Sequence, residues 1–356
     1  MKRPPSSESV ARARMVGLDV WGRSISDPGA VVRQLVAMQA QEHAYARWSV
    51  GQRGRVGASV VDAAFDAGAL LRTHVLRPTW HYAAPEDLRW LLKLTGPRID
   101  GTCARRYDEL ALDARTRRRS ADVIADAVAD GPLTRHEIAA VLARRRIAPD
   151  GQRLSHVLMY AELHAVVCSG PMRGKQHTYA SFDSRVPAGP DLTGDDALAE
   201  LARRWFSTRG PATLRDFGWW SGLRAADARK ALAAVQSELT SYEHDGRVFW
   251  FADWPRAPRG PRIDLVQCYD ESIISYTESR DVLASDGVAF AVPGTRDGFT
   301  HVLLADGQLL GQWRVKPTSR RDAPCTRDRR TRTGCARRRR RAIREVPARV
   351  GCAHEH

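Results

Sequence analysis

No stretch of this 356-residue chain stays apolar for long. No window approaches the roughly 18 apolar residues that a membrane-spanning helix needs, and the opening "MKRPPSSESVARARM" has no apolar run of signal-peptide length. The expectation is a cytoplasmic protein that makes no use of a membrane. Cysteine is sparse as well. Cys103, Cys168, Cys268, Cys325, Cys335 and Cys352 are all there are, and no two have the close spacing of a zinc knuckle. They read as free thiols, with no metal and no cofactor expected. The body of the chain also has little excess of either charge. Of the net +15, residues 314–356 hold +11, from 15 Lys and Arg against 4 Asp and Glu, which leaves +4 for residues 1–313. Bulk charge therefore does not bring the folded part to nucleic acid, and its positive groups would have to gather on one face.

Apolar residues make up 43% of the chain and charged residues 27%, a soluble globular composition with length enough for two or three domains. The organisation is repetitive. "DGPLTRHEIAAVLARRRI" offers Thr134 and Glu137 as a capping box before an apolar helical stripe, and "RGPATLRDFGWWSGL" repeats the design with Thr213 and Asp216. Each copy is followed by a second helical stretch and a run of β formers, which turns near Gly170 to Gly174 in one and at Asp245-Gly246 in the other. A looser copy opens the chain and ends in "LRTHVLRPTWHYAA", with Pro78 at a turn or edge.

Helices followed by a hairpin is the winged-helix order. The predicted fold is α+β, mostly α: three tandem winged-helix units over residues 1–95, 96–190 and 191–260, then a small β-barrel or sheet over 261–313, including "GVAFAVPG" and a turn at Asp306-Gly307. Residues 314–356 form an Arg-rich tail that reads as disordered. Either a reading-frame shift or a real DNA-binding tail accounts for its composition. Trp219 and Trp220 read as core.

Near the start, "QLVAMQAQEHAYARW" sends an apolar helical pattern into two glutamines, Gln39 and Gln41. Side chains at i and i+2 share a face in extended backbone but stand about 200° apart on a helix, so the helix has to end near Met38 for both amides to face one site. The plain alternative is that these amides satisfy carbonyls at a helix end.

The succession "LVAMQAQ", "ARWSVGQR", "LLRTHVLRPTWHYAAPEDLRWLL", "GPLTRHEIAAVL", "RGKQHTYASF", "RGPATLRDFGWWSGL" and "YDESIISYTESRDVL" resembles the bacterial winged-helix proteins of the AlkZ-like DNA glycosylase family over about residues 8–313. Beyond Trp313 the resemblance stops. It implies a concave, DNA-sized channel and a catalytic glutamine–apolar–glutamine signature at Gln39, Ala40 and Gln41. The double-glutamine branch removes bulky or crosslinking adducts at nitrogen-7 of guanine, so the implied partner is double-stranded DNA with an alkylated guanine.

The chemistry agrees with that substrate. An amide is no general base, but it can hold water and donate to phosphate or sugar oxygens. A guanine alkylated at nitrogen-7 already carries positive charge and departs without an acid, leaving the enzyme to orient water and stabilise an oxocarbenium-like sugar. Thr79 and His81 resemble the family's threonine-x-histidine wing motif and are assigned to site support. Asp270, in a sequence similar to the family's aspartate-glutamate motif, is read as structural or site-supporting, with Glu271 beside it on the opposite face of a strand. Arg173, Lys175 and His177 surround a hairpin tip and, with Arg72 and Arg77, are candidate DNA contacts. The expected enzyme is a monofunctional glycosylase acting as a monomer; the alternative is a non-catalytic winged-helix DNA-binding or regulatory protein.

Overall fold

The computed structural model describes residues 5–22, 25–285 and 301–314. Both capping boxes form. Thr134 Oγ1 accepts from the Glu137 amide at 3.3 Å while Glu137 Oε2 accepts from the Thr134 amide at 2.7 Å, starting the helix Arg135–Arg144. Thr213 and Asp216 do the same for Leu214–Ser221 at 3.2 and 3.1 Å. Each cap satisfies N–H groups left orphaned at a helix start, worth about 1 kcal/mol.

Three times the chain runs helices into an antiparallel hairpin. The helices Pro28–Leu35, His43–Gly54 and Ala58–Ala67 lead to the strands Leu71–His74 and Trp80–Ala83, and the short strand Ala37–Gln39 pairs with the outer side of Trp80–Ala83. The helices Ala114–Val128, Arg135–Arg144 and Gln152–Leu163 lead to Val167–Ser169 and Thr178–Ser181. The helices Gly194–Arg209, Leu214–Ser221 and Ala225–Val235 lead to Thr240–His244 and Arg247–Phe251. The last hairpin turns through Asp245 and Gly246, at φ 50° and 68°, the left-handed pair that a two-residue turn between twisted strands requires. The helix Pro85–Thr102 runs straight across the boundary drawn at residue 95.

In the C-terminal section, the choice between barrel and sheet falls to the sheet, and one expectation needs correction. The strands Ile263–Val266, His301–Ala305 and Gln308–Trp313 make a three-stranded antiparallel sheet with its turn at Asp306-Gly307, and no closed barrel forms among the described residues. Three strands this short cannot wrap a sheet onto itself. "GVAFAVPG" and the Arg-rich tail lie outside the described residues. Asp270 and Glu271 do not lie on a strand. Asp270 caps the four-residue helix Glu271–Ile274, with Oδ1 accepting from the Ser272 amide at 2.9 Å, so the local capping preference of Asp overrides the β pattern around it.

One continuous apolar core joins the three helix-and-hairpin segments and the C-terminal sheet. Trp205 packs against Phe206, Phe217 and Trp220 at centroid distances of 4.8, 5.3 and 6.3 Å. Trp220 is fully buried, whereas Trp219 is 52% exposed and not core, because neighbours on a helix point about 100° apart. Cys103, Cys168 and Cys268 are buried free thiols. No helix among the described residues is long and apolar enough to cross a membrane.

Candidate active site

The helix Pro28–Leu35 ends three residues earlier than expected, at Val36, whose φ of 66° is left-handed. A β-branched residue held there costs about 1–3 kcal/mol and persists only when its surroundings fix it. They do. The Arg209 guanidinium donates to the Leu35 carbonyl and to the Ala37 carbonyl, both at 3.0 Å, and so brackets Val36. From this turn the chain leaves extended: Gln39 pairs with His81 in the ladder, and the Ala40 amide donates to the Trp80 carbonyl at 2.7 Å.

Each glutamine oxygen faces a group that can only donate, which settles how both carboxamides are turned. Arg77 Nη2 donates to Gln39 Oε1 at 2.7 Å, and the Trp80 amide donates to Gln41 Oε1 at a long 3.4 Å. Neither amide nitrogen has a protein partner among the described residues, and both side chains are half-buried. The result is a pair of NH₂ groups available to a ligand oxygen, with a lone pair left on each carbonyl oxygen for water.

Glu271 holds this segment from behind. Its Oε1 accepts from the Gln39 amide at 2.8 Å; its Oε2 accepts from Arg209 Nη2 at 2.9 Å and from Trp220 Nε1 and Ser275 Oγ, each at 2.8 Å. Asp270 points to a different guanidinium, accepting from Arg53 at 2.7 and 2.9 Å. Burial alone would raise the Asp270 pKa, but Arg53 and the other donors bring it down to about 2. Both carboxylates are thus buried anchors of the C-terminal section: Glu271 ties it to the glutamine segment, and Asp270 ties it to the following helix His43–Gly54.

Among the other candidates, Arg77 also donates to the Trp220 carbonyl at 3.0 Å, and Arg72 donates to the Ala40 and Gln41 carbonyls at 2.8 and 3.1 Å while lying over the Trp80 ring. Both guanidiniums are occupied inside the site. His81 Nδ1 faces the Thr79 carbonyl at 2.9 Å and must carry the proton, which leaves Nε2 to accept from Arg77 at 3.3 Å. Thr79 Oγ1 is buried without a partner among the described residues. Arg173 is paired with Glu137 at 2.7 Å, Lys175 is exposed at the hairpin tip, and His177 lies against His43 at a ring distance of 4.7 Å.

Sequence reasoning missed His43, which follows Gln41 by two residues and meets the Tyr82 hydroxyl at 2.7 Å, and it missed Arg209. Proximity to the motif could have flagged the first. Nothing local marks the second.

These histidines make stability pH-dependent. Burial, then the neighbouring His177, lowers the His43 pKa to about 3; burial, then Arg72, lowers His177 to about 4; burial, then Arg77, holds His81 well below the usual range. All three stay neutral in the fold but take up protons once unfolded below about pH 6.5, so the unfolded state binds more protons and stability falls on acidification. The fully buried His81 alone contributes a slope of up to about 1.4 kcal/mol per pH unit. The thermal midpoint is expected to be level between pH 7 and 8 and to fall steadily from pH 6.5 to 5, above the carboxylate range. A midpoint unchanged over that interval contradicts the assignment.

The two amides thus form a polar wall between packed helix-and-hairpin segments. The model of the family described as DNA glycosylase AlkZ-like matches residues 32–351, and the chain belongs to that family. The match continues past Trp313, where the sequence reading ended the resemblance. The fold is similar to the solved structure of Streptomyces sahachiroi DNA glycosylase AlkZ, with a TM-score of 0.75 at 21% identity, covering 88% of this chain and 89% of that one. A comparison with curated proteins finds no match.

Proposed function

We propose that the chain is a monofunctional glycosylase of the double-glutamine kind. In this reading its three helix-and-hairpin segments are winged helices that hold double-stranded DNA, and it hydrolyses the N-glycosidic bond of a bulky or crosslinked N7-alkylguanine as a monomer. The observation that carries the reading is the pair of carboxamides whose oxygens are turned inward by Arg77 and the Trp80 amide, leaving both NH₂ groups without a partner among the described residues.

The bond from the sugar to the base nitrogen breaks with its electron pair moving to the cationic base, which leaves neutral. Water held at Gln39 and Gln41 adds to the anomeric carbon, and its proton passes to solvent, since neither amide takes it. Glu42 is exposed beside the motif and is not required, because an oxocarbenium-like centre needs little help from a base.

The shortage of lysine argues against a covalent route. The chain has five lysines. Of the three described, Lys93 pairs with Asp191 and Lys230 with Asp195, and only Lys175 has no carboxylate partner.

The test is incubation of the purified chain with a duplex carrying one N7-alkylguanine. The expected result is release of the modified base with the strand left intact until alkali is added. Strand cleavage without alkali would replace hydrolysis with a lyase step, and tight binding without release would favour the non-catalytic alternative.

A further inference from the structure

The arginines nearest the glutamines are occupied by internal acceptors, and the cationic charge without a carboxylate partner gathers elsewhere. "RTRRR" at residues 115–119 opens the helix Ala114–Val128, and "RRR" at 144–146 closes the helix Arg135–Arg144. None of these seven arginines is in an ion pair among the described residues.

Between them and the start of the helix Gln152–Leu163 lies a cavity of about 350 Å³, lined by Arg115, Arg119, Arg146 and Arg153 together with Thr116. Two of the four guanidiniums are held by backbone carbonyls: Arg119 Nη2 donates to Arg145 O at 2.7 Å, and Arg153 donates to Ala148 O at 3.1 Å and to Ala111 O at 3.2 Å. Arg115 and Arg146 are exposed, and neither side chain has a hydrogen bond or an ion pair among the described residues; Arg115 feels only the field of the nearby Asp113. Four like charges around one cavity repel each other until an anion enters, and planar N–H forks match the paired oxygens of a phosphate. With no aromatic ring in the lining, the cavity has nothing on which a base would stack.

Its position relates it to the glutamines. Arg153 stands near one end of the helix Gln152–Leu163, and Glu162 near the other end accepts from Trp80 Nε1 at 3.2 Å; Trp80 is the residue whose amide holds Gln41. Nine residues of helix span about 14 Å, the rise of roughly four base pairs of duplex, and the Trp80 side chain continues the path from Glu162 to Gln41.

We infer that the arginine cavity is a second seat for a DNA phosphodiester, occupied by the flank of a duplex whose modified nucleotide lies at Gln39 and Gln41. This rests on the proposed function for its partner.

The test compares the full chain with an Arg115→Gln/Arg146→Gln variant, which breaks no hydrogen bond or ion pair among the described residues. Binding to a modified duplex of about 25 base pairs is measured across a salt series, and base release is measured at saturating enzyme. The variant is expected to bind roughly tenfold more weakly at 0.15 M salt, with a salt slope smaller by about 1 to 2. Parent and variant should bind alike on a duplex that ends about three base pairs from the modified nucleotide on either side, and base release at saturation should be unchanged. Equal slopes and affinities on the long duplex overturn the proposal. If they are equal while inorganic phosphate raises the melting temperature of the parent and not of the variant, the cavity takes free phosphate and the DNA assignment is overturned. Release by both proteins with equal slopes sinks only the second seat; a slope difference with no release by the parent supports the seat and removes the glycosylase reading.

Discussion

Replacing Gln39 and Gln41 together by alanine is expected to lower base release from N7-alkylguanine DNA by roughly three orders of magnitude, about 4 kcal/mol of transition-state stabilisation, while the duplex still binds. Both side chains are half-buried, the Gln39 backbone is held by the ladder and by Glu271 and the Gln41 carbonyl by Arg72, so the fold should persist and the thermal midpoint should shift by only a few degrees. The single variants should differ. Gln39→Ala leaves the Arg77 guanidinium without its 2.7 Å acceptor and frees it to move, whereas Gln41→Ala gives up only the long contact to the Trp80 amide. Gln39→Ala is therefore the more damaging of the two for stability. Single-turnover base release and a gel-shift titration on the same preparations provide the check. A double variant that binds DNA and releases the base at the parent rate removes these amides from the mechanism.

Glu271→Ala should have the largest effect on stability. The Arg209 and Glu271 side chains are 0% and 1% exposed, and removing the carboxylate leaves a buried guanidinium unpaired, a change that typically costs about 3–5 kcal/mol. The same substitution releases the Gln39 amide, Trp220 Nε1 and Ser275 Oγ together. Urea unfolding followed by circular dichroism should show a loss of that size, a large share of the stability of an ordinary domain. Glu271→Gln separates anchoring from bulk stability. Its oxygen can still accept from one donor while its NH₂ opposes another, so it should retain much of the fold yet release base more slowly at saturating DNA with little change in affinity. A Glu271→Ala protein within about 1 kcal/mol of the parent would falsify the anchoring role.

Legibility followed the range of the interactions. The two capping boxes and the Asp-Gly turns at 245 and 306 are contests among neighbours three or four residues apart, and they form where the sequence places them. The segment carrying Gln39 and Gln41 was legible as a helix giving way to extended backbone, since two amides at i and i+2 need that geometry to share a face. The point of change was not. Val36 adopts a conformation that its side chain disfavours, and only the Arg209 guanidinium, 173 positions away, makes the turn tolerable. Asp270 and Glu271 were misread as strand residues because their β-like surroundings hide a capping aspartate. Trp219 and Trp220 look alike in sequence, yet one is buried and the other half exposed.

The sequence by itself determined the elements, their caps and turns, the repeat of helices and hairpin, and the family, because these rest on local backbone preference and on the order of motifs along the chain. The tertiary structure alone decided which charges are free. Arg72 and Arg77 on one hairpin and Arg173 on another look like DNA contacts, but packing brings carbonyls, a carboxamide and a carboxylate to meet them. Arg115 and Arg146, which nothing in the sequence sets apart from the other arginines, are left without a hydrogen bond or an ion pair among the described residues. A guanidinium is neutralised by whatever acceptor lies within about 3 Å of it, and that distance is set by long-range packing that no local pattern encodes.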